Sequence, residues 1–557
     1  MTSEKSSRLQ SLRIFALLTL TSILIAGCGA GKFRVPERIP NDQRPGLEPA
    51  AASINVGANG FEQQIAAQVR QALDLSYHLR KLAGRPRQAM NIDAFGEVHD
   101  CSWFTNRNAI KRMSLEEIAR GPNSGNGPDT SGVWTVIRAK VEGITPGFHI
   151  EDSQGVCYVI KFDTAGYPEL ATGAEVASTK LFHAMGYNVP ENYIVNFNPA
   201  NLRVGAQVRF TDEKGLKCFM TQQDLDTILQ GIQRLPDGRI RAVASKYIAG
   251  KLKGPFRYTG VRKDDPNDVI PHEHRRELRG LQVVSAWLNH YDTKANNSLD
   301  VYVEEGYMRH YLIDFGSTLG SRAGKPKPPV CGYENDADPH EMTRNILLLG
   351  LWPRPWEQVE PVRHPSVGYF RSDIFHPRKY KGIIPNPAFE NMTRQDGYWG
   401  AKLVMSFTDE QLSAAVAEGQ YSDPEAASYI LKTIIERRDI VGRYWFSKVN
   451  PLDRFELRKP PDGRRELHFV DLAVESGLES ADQSEYRCDL IRAGKRVREI
   501  EMSDQIRIPL EIRDTNGLWE LRIYTRRGSD SKWMKPVRVY LRWENISRTV
   551  ILVGVQH

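Results

Sequence analysis

The 557-residue chain has no long run of lysine or arginine, and its formal net charge is only +7. Nucleic acid is therefore not an expected partner. Cysteine is sparse: six residues, none at metal-ligand spacing. With Cys28 set aside, Cys101, Cys157, Cys218, Cys331 and Cys488 form an odd, scattered set from which no disulfide pairing can be chosen. There is no internal repeat and no low-complexity block. The longest apolar run, IFALLTLTSILIAGC (14–28), is short for a spanning helix. Within it GCGAGK is not a phosphate loop, because the glycine spacing would need Gly at Ala26 and Phe33 stands where Ser or Thr is required. What remains is an ordinary globular composition, 26% charged and 40% hydrophobic, long enough for several domains with well-filled cores.

Arg8 and Arg13 precede that apolar run, which ends in small residues as a targeting segment does. Ile25-Ala26-Gly27-Cys28 resembles a bacterial lipobox. The resemblance implies that residues 1–27 are removed and that Cys28 carries the lipid, giving a stable anchor of several acyl chains. Gly29 in place of Asp points, on the same resemblance, to the outer membrane of a Gram-negative cell envelope, facing the periplasm or the exterior. An ordinary secretory signal or an uncleaved anchor is the alternative.

Residues 28–60 are rich in Pro, Gly, Ala and Asn and read as a tether linker. Residues 61–130 form an N-terminal helical region, with helical periodicity over 61–82 and a loop composition at 121–132. WTVIRAKVEG (134–143), FHIED (148–152) and VCYVIKFD (156–163) read as three successive antiparallel strands. A helix follows over 169–186, then strands at 191–197 and 243–250, then a long helix over 272–290. Short helical segments continue to about residue 450. From 451 to 557 the pattern changes to regularly spaced alternating strands, the signature of a β-sandwich.

Between the long helix and the next strand stands the polar stretch HYDTKANN (290–297). Asp292, Lys294, Asn296 and Asn297 sit there between two apolar elements, and YLIDFGSTLG (311–320) follows. The order of elements and these residues resemble the protein-kinase-like superfamily. HYDTKANN overlies the catalytic-loop pattern H-R-D-L-x-x-x-N without gaps, and Asp314-Phe315-Gly316 matches D-F-G. Upstream, Lys161 in VIK (159–161) matches the phosphate-contacting lysine, and Glu175 on the next helix its ionic partner, with Glu169 as a possible substitute. The resemblance implies that Asp292 orients the acceptor hydroxyl and Lys294 offsets charge on the transferred group. It implies that Lys161 and Glu175 hold the nucleotide phosphates, and that Asn297 and Asp314 ligate the metal. These are the types that phosphoryl transfer needs: hard oxygen ligands, a positioned base and fixed positive charge. A polar turn capped by its own Asp and Asn is the structural alternative.

The departures are specific. No complete G-x-G-x-x-G lid exists, since EGITPGFHIED holds only Gly143 and Gly147. Tyr291 replaces the arginine of H-R-D, which argues against activation through an arginine-bound phosphosite. No clear A-P-E is found. These point to atypical branches: HipA-like, lipid-kinase-like or CotH-like secreted kinases. The implied fold class is α+β: a two-lobed kinase-like domain (131–250 and 251–450) with a C-terminal β-sandwich. The implied function is an extracytoplasmic, lipid-anchored phosphotransferase. It would use ATP or another nucleotide with Mg²⁺ or Mn²⁺ and act on a protein, glycan or lipid hydroxyl. An inactive kinase-fold scaffold and a nucleotidyl transferase on the same fold are the rival readings. His272-Glu273-His274 reads as a helix start, and 437–455 as packing for the sandwich.

Overall fold

A computed structural model describes residues 33, 39–53, 73–139, 147–211, 217–336, 338–351, 354, 356, 361–459, 465–503, 506–510, 517–528, 531–544 and 549–557. Residues 38–557 form one compact unit. Residues 1–32, which include the whole lipobox segment and Cys28, and residues 54–72 lie outside the described residues.

The three expected antiparallel strands are β1 (Trp134–Ala139), β2 (Gly147–Glu151) and β3 (Cys157–Phe162). They share a six-stranded sheet of order β4-β8-β3-β2-β1-β5 with β4 (Asn192–Phe197), β5 (Leu202–Val204) and β8 (Ile240–Lys246); a small hairpin, β6 (Arg209–Thr211) and β7 (Lys217–Phe219), stands apart. One face of the sheet buries Val136, Ile150, Ile160, Phe162 and Ala244 in a single apolar core. In β3 the alternation puts Tyr158, Ile160 and Phe162 inside and turns Lys161 to the other face.

A second core is helical. An early helix α1 (Leu75–Leu82) and the capped α2 (Leu115–Arg120) precede α3 (Leu170–Met185), which is buried along nearly its whole length and ends on Gly186 at φ 121°. After α4 (Gln222–Gln230), α5 (Arg276–Leu288) is buried at every residue. It packs with α6 (Arg394–Met405) and α8 (Pro424–Phe446) around Trp287, Trp399, Ile434 and Trp445, and α7 (Asp409–Ala417) packs on α8. Gly280 lets α5 and α6 approach closely: a Cβ there would stand 2.7 Å from the Trp399 ring. A three-stranded sheet is formed by β9 (Lys251–Gly254), β10 (Ser298–Tyr302) and β11 (Met308–Leu312).

The C-terminal region is rich in sheet. β12 (Leu452–Arg458), β13 (Arg465–Asp471) and β16 (Arg507–Leu510) form one sheet; β15 (Lys495–Ser503), β14 (Ser484–Arg492), β17 (Leu518–Arg527), β18 (Val537–Glu544) and β19 (Thr549–Gln556) form the other. Leu467, Phe469 and Ile508 of the first share a core with Cys488, Leu521 and Val539 of the second. The architecture is therefore α+β with a sheet-rich C-terminal part.

Two expectations are corrected. Residues 39–53, placed in the tether, lie on the body instead. Gly46 N–H donates to Gly306 O (2.8 Å), Ala52 N–H to Lys253 O (2.9 Å), and Glu48 pairs with Lys251 and Lys253. A segment without periodicity satisfies its backbone against the β9–β10 region rather than in water. The stretch between α1 and α2 is mostly irregular rather than helical. Trp103 and Phe104 are buried there by packing against the helical core, which overrides local pattern. Among the described residues no disulfide forms between the cysteines.

Candidate functional site

The site forms where β3, α3 and two loops meet. Lys161 Nζ lies 3.0 Å from Glu175 Oε2 and 2.8 Å from Asp314 Oδ1. Burial alone would lower the lysine pKa, but the charges of Asp314 and Glu175 outweigh it and hold the ammonium protonated well above its ordinary range. Glu175 is 2% exposed and Lys161 13%, whereas Asp314 is 42% exposed. The pair is thus anchored on the inside and open on the Asp314 side. Glu175 is fixed further by the Phe315 N–H, which donates to its Oε1 (3.2 Å), and by Asn192 Nδ2 (3.4 Å). Glu169 is not the lysine's partner. It accepts the Ser422 N–H (2.8 Å) at the start of α3.

The polar turn follows directly from the end of α5. Asn289 caps the helix in the left-handed conformation (φ 53°), turning the chain out of helical register. Lys294 Nζ donates to Asp292 Oδ2 at 3.0 Å. Asp292 Oδ1 also lies 3.0 Å from the same ammonium, so the cation spans both carboxylate oxygens. Asn297 Nδ2 donates to the Asp292 carbonyl (2.9 Å), which fixes the loop's curvature.

This turn is tied to the Asp314 loop through the backbone. Ile313 N–H donates to Asn297 O (3.1 Å), Leu319 N–H to Leu288 O (2.9 Å) and Tyr291 N–H to Ser317 O (3.4 Å). Asp314 itself sits at φ 66°, a conformation unusual outside glycine and frequent where function demands a particular side-chain direction. Behind the two loops Phe315 stacks on Phe182 of α3 (ring centroids 4.5 Å), and His290 packs against both rings. Burial, reinforced by the nearby charge of Lys327, lowers the His290 pKa to about 3 and leaves the ring neutral. Tyr291, at the arginine position of H-R-D, sends its hydroxyl to Asp336 (2.8 Å).

Lys161, Glu175 and Asp314 are therefore brought into direct contact, and Asp292, Lys294 and Asn297 share one loop hydrogen-bonded to the Asp314 loop. Sequence reading missed Asn192, whose amide steadies Glu175, and Lys327, discussed below. Neither lies in a motif. The segment that would hold a phosphate lid, 140–146, is outside the described residues. His272, Glu273 and His274 form a single 3₁₀ turn before α5. His272 is tied to Arg257 O and Asp268 there. Among the described residues no group of three or more His, Cys, Asp or Glu side chains could hold a metal by itself.

No protein-family profile matches the chain, and no curated protein resembles it. Among solved structures it is similar to a Golgi casein kinase, at 12% identity over 59% of this chain and 72% of that one, with a TM-score of 0.29. It is also similar to the Golgi casein kinase with Mn/ADP bound (11%, 69% and 88%, 0.30) and to a hydra Fam20 structure with sugar (11%, 60% and 90%, 0.30). Likeness at this level says nothing of activity.

Proposed function

We propose that this protein is a kinase-like phosphotransferase that uses a nucleotide with Mg²⁺ or Mn²⁺ and acts on a hydroxyl acceptor. The observation that carries the reading is the ammonium of Lys161 held between Glu175 and Asp314, beside a loop that presents Asp292 and Asn297. Lys161, positioned by Glu175, would bind nucleotide phosphate oxygens. Asp314 and the Asn297 carbonyl oxygen would supply the protein's oxygens to a divalent ion, which when bound neutralises charge on the phosphates. Asp292 is the group suited to the acceptor: its carboxylate stands on the loop hydrogen-bonded to the Asp314 loop, where it would accept the proton of a substrate hydroxyl. Lys294, 3.0 Å from both oxygens, would keep that carboxylate in place and offset charge on the transferred group.

The proposal includes the cell envelope as location, with the lipid on Cys28 as anchor. Cys28→Ser is expected to move the protein from the membrane to the soluble fraction and to abolish acyl labelling. For the activity, the purified chain is incubated with labelled ATP and Mn²⁺. Labelled product or metal-dependent nucleotide binding is expected, and Asp314→Ala is expected to remove the metal dependence while leaving the melting temperature without nucleotide nearly unchanged. A large loss of stability in Asp314→Ala with metal-dependent binding intact would instead mark these residues as structural.

A further inference from the structure

Lys327 lies thirteen residues beyond Asp314 and is 1% exposed. Its Nζ donates to the carbonyl oxygens of Asn289 and, at 2.9 Å, of Ser317. Those two carbonyls belong to different loops: Asn289 opens the loop of Asp292, and Ser317 closes the loop of Asp314. Ser317 O also accepts the Tyr291 N–H, so the lysine completes a three-way junction between them. Its backbone is fixed as well. Pro326 and Pro328 flank it, restricting φ and ψ on both sides, and its own N–H donates to Gly320 O (2.9 Å).

A buried ammonium is costly unless its charge is used. Among the described residues no carboxylate lies within ion-pair distance of Lys327. The charged or titratable groups acting on it are Cys331, Arg437, Asp292 and Arg322; burial is the leading influence and lowers its pKa to about 7. Packing alone could be served by an apolar side chain of the same length, which would carry no such cost. What an apolar side chain cannot do is bind two carbonyls on neighbouring loops.

In protein kinases the H-R-D arginine commonly meets a phosphate on the segment after D-F-G, and that pairing orders the segment. Here Tyr291 replaces the arginine and its hydroxyl is engaged by Asp336. We infer that Lys327 is a positioning residue that substitutes for that clamp: its ammonium pins Asn289 O and Ser317 O, holding Asp292 in register with Asp314 without any phosphorylation. The inference rests on the phosphotransferase reading of the site. It makes the site assembled by its own sequence, with no activating phosphate required.

The test uses the detergent-solubilised full chain and two variants, Lys327→Met and Lys327→Gln. The probe is ATP with Mn²⁺, read as transfer or hydrolysis. Lys327→Met is expected to lower kcat by about 10- to 100-fold, the scale of a small misplacement of reacting groups. KM for nucleotide should stay within about threefold, and the melting temperature should be unchanged or raised, because a buried charge has been removed. Lys327→Gln, which keeps one donor amide, should fall between. Amide hydrogen exchange across 289–297 and 314–320 should quicken in both variants. Phosphatase treatment of the wild type should leave kcat unchanged.

Full turnover in Lys327→Met would overturn the inference. So would a loss of turnover matched by an equal loss of folded protein, or inactivation of the wild type by phosphatase. If the wild type neither transfers nor hydrolyses, the phosphotransferase reading fails, and the exchange measurement alone judges the clamp: unchanged protection in both variants refutes it.

Discussion

The sheet-rich C-terminal region and the candidate site use polar residues in opposite ways. In β17 the burial alternates along the strand, so Trp519, Leu521 and Ile523 enter the core while Glu520 and Arg522 turn to the other face. Arg496 and Glu499, 2.7 Å apart, are 56% and 38% exposed. At the site, Lys161, Glu175 and Lys327 are all largely removed from water, and each depends on partners distant in sequence. A surface pair is solvated whether or not its partner is present. A buried polar group is tolerated only where its partner stands, so its chemistry is specific to the place.

The sharpest way to break this comparison is Asp292→Asn. The change is nearly isosteric, so nucleotide affinity by calorimetry should be preserved while transfer falls by about 10²–10⁴. Retained transfer would place Asp292 with the exchangeable surface groups instead. In the other region Leu521→Ala should cost about 2–5 kcal/mol of stability, read by urea denaturation, with turnover per folded molecule unaltered. A parallel loss of nucleotide affinity would show that the two regions are not independent.

A subtler contrast is pH. The folded His290 does not take up a proton until pH falls to about 3, whereas in the unfolded chain it does so near its ordinary value of about 6.5. Stability is therefore lost as pH falls from the unfolded value toward the folded one, and no further loss from this group follows below it. The urea midpoint of His290→Leu should decline less steeply between pH 7 and pH 4 than that of the wild type. The smallest effect belongs to the surface: Arg496→Ala should change stability by no more than about 1 kcal/mol and should leave activity untouched.

Legibility in the sequence follows the same division. The C-terminal strands were readable because alternation is a local property, and so was HYDTKANN, whose chemistry is packed into eight consecutive residues. Glu175 could not be separated from Glu169 by sequence. The distinction depends on which turn of α3 faces β3, and only Glu175 reaches Lys161. Lys327 was invisible because its partners are backbone carbonyls 38 and 10 residues away, which carry no side-chain signature. The segment 39–53 misled for the converse reason: its composition suits a free linker, and only the hydrogen-bonding groups offered by Lys253 and Gly306 give it a place.

The Lys161 contact has a consequence for the order of arrival. One ammonium faces two carboxylates, Glu175 and Asp314, so the trio carries a formal charge of −1. A bare polyphosphate approaching from the open Asp314 side meets a carboxylate that already occupies the lysine, and the two anions are rivals for one cation. A divalent ion travelling with the polyphosphate removes the rivalry, because Asp314 can exchange the lysine for the metal while the lysine turns to phosphate. On the proposed reading, entry would favour the metal complex over the free anion, and the cleft would discriminate between them before any chemistry begins.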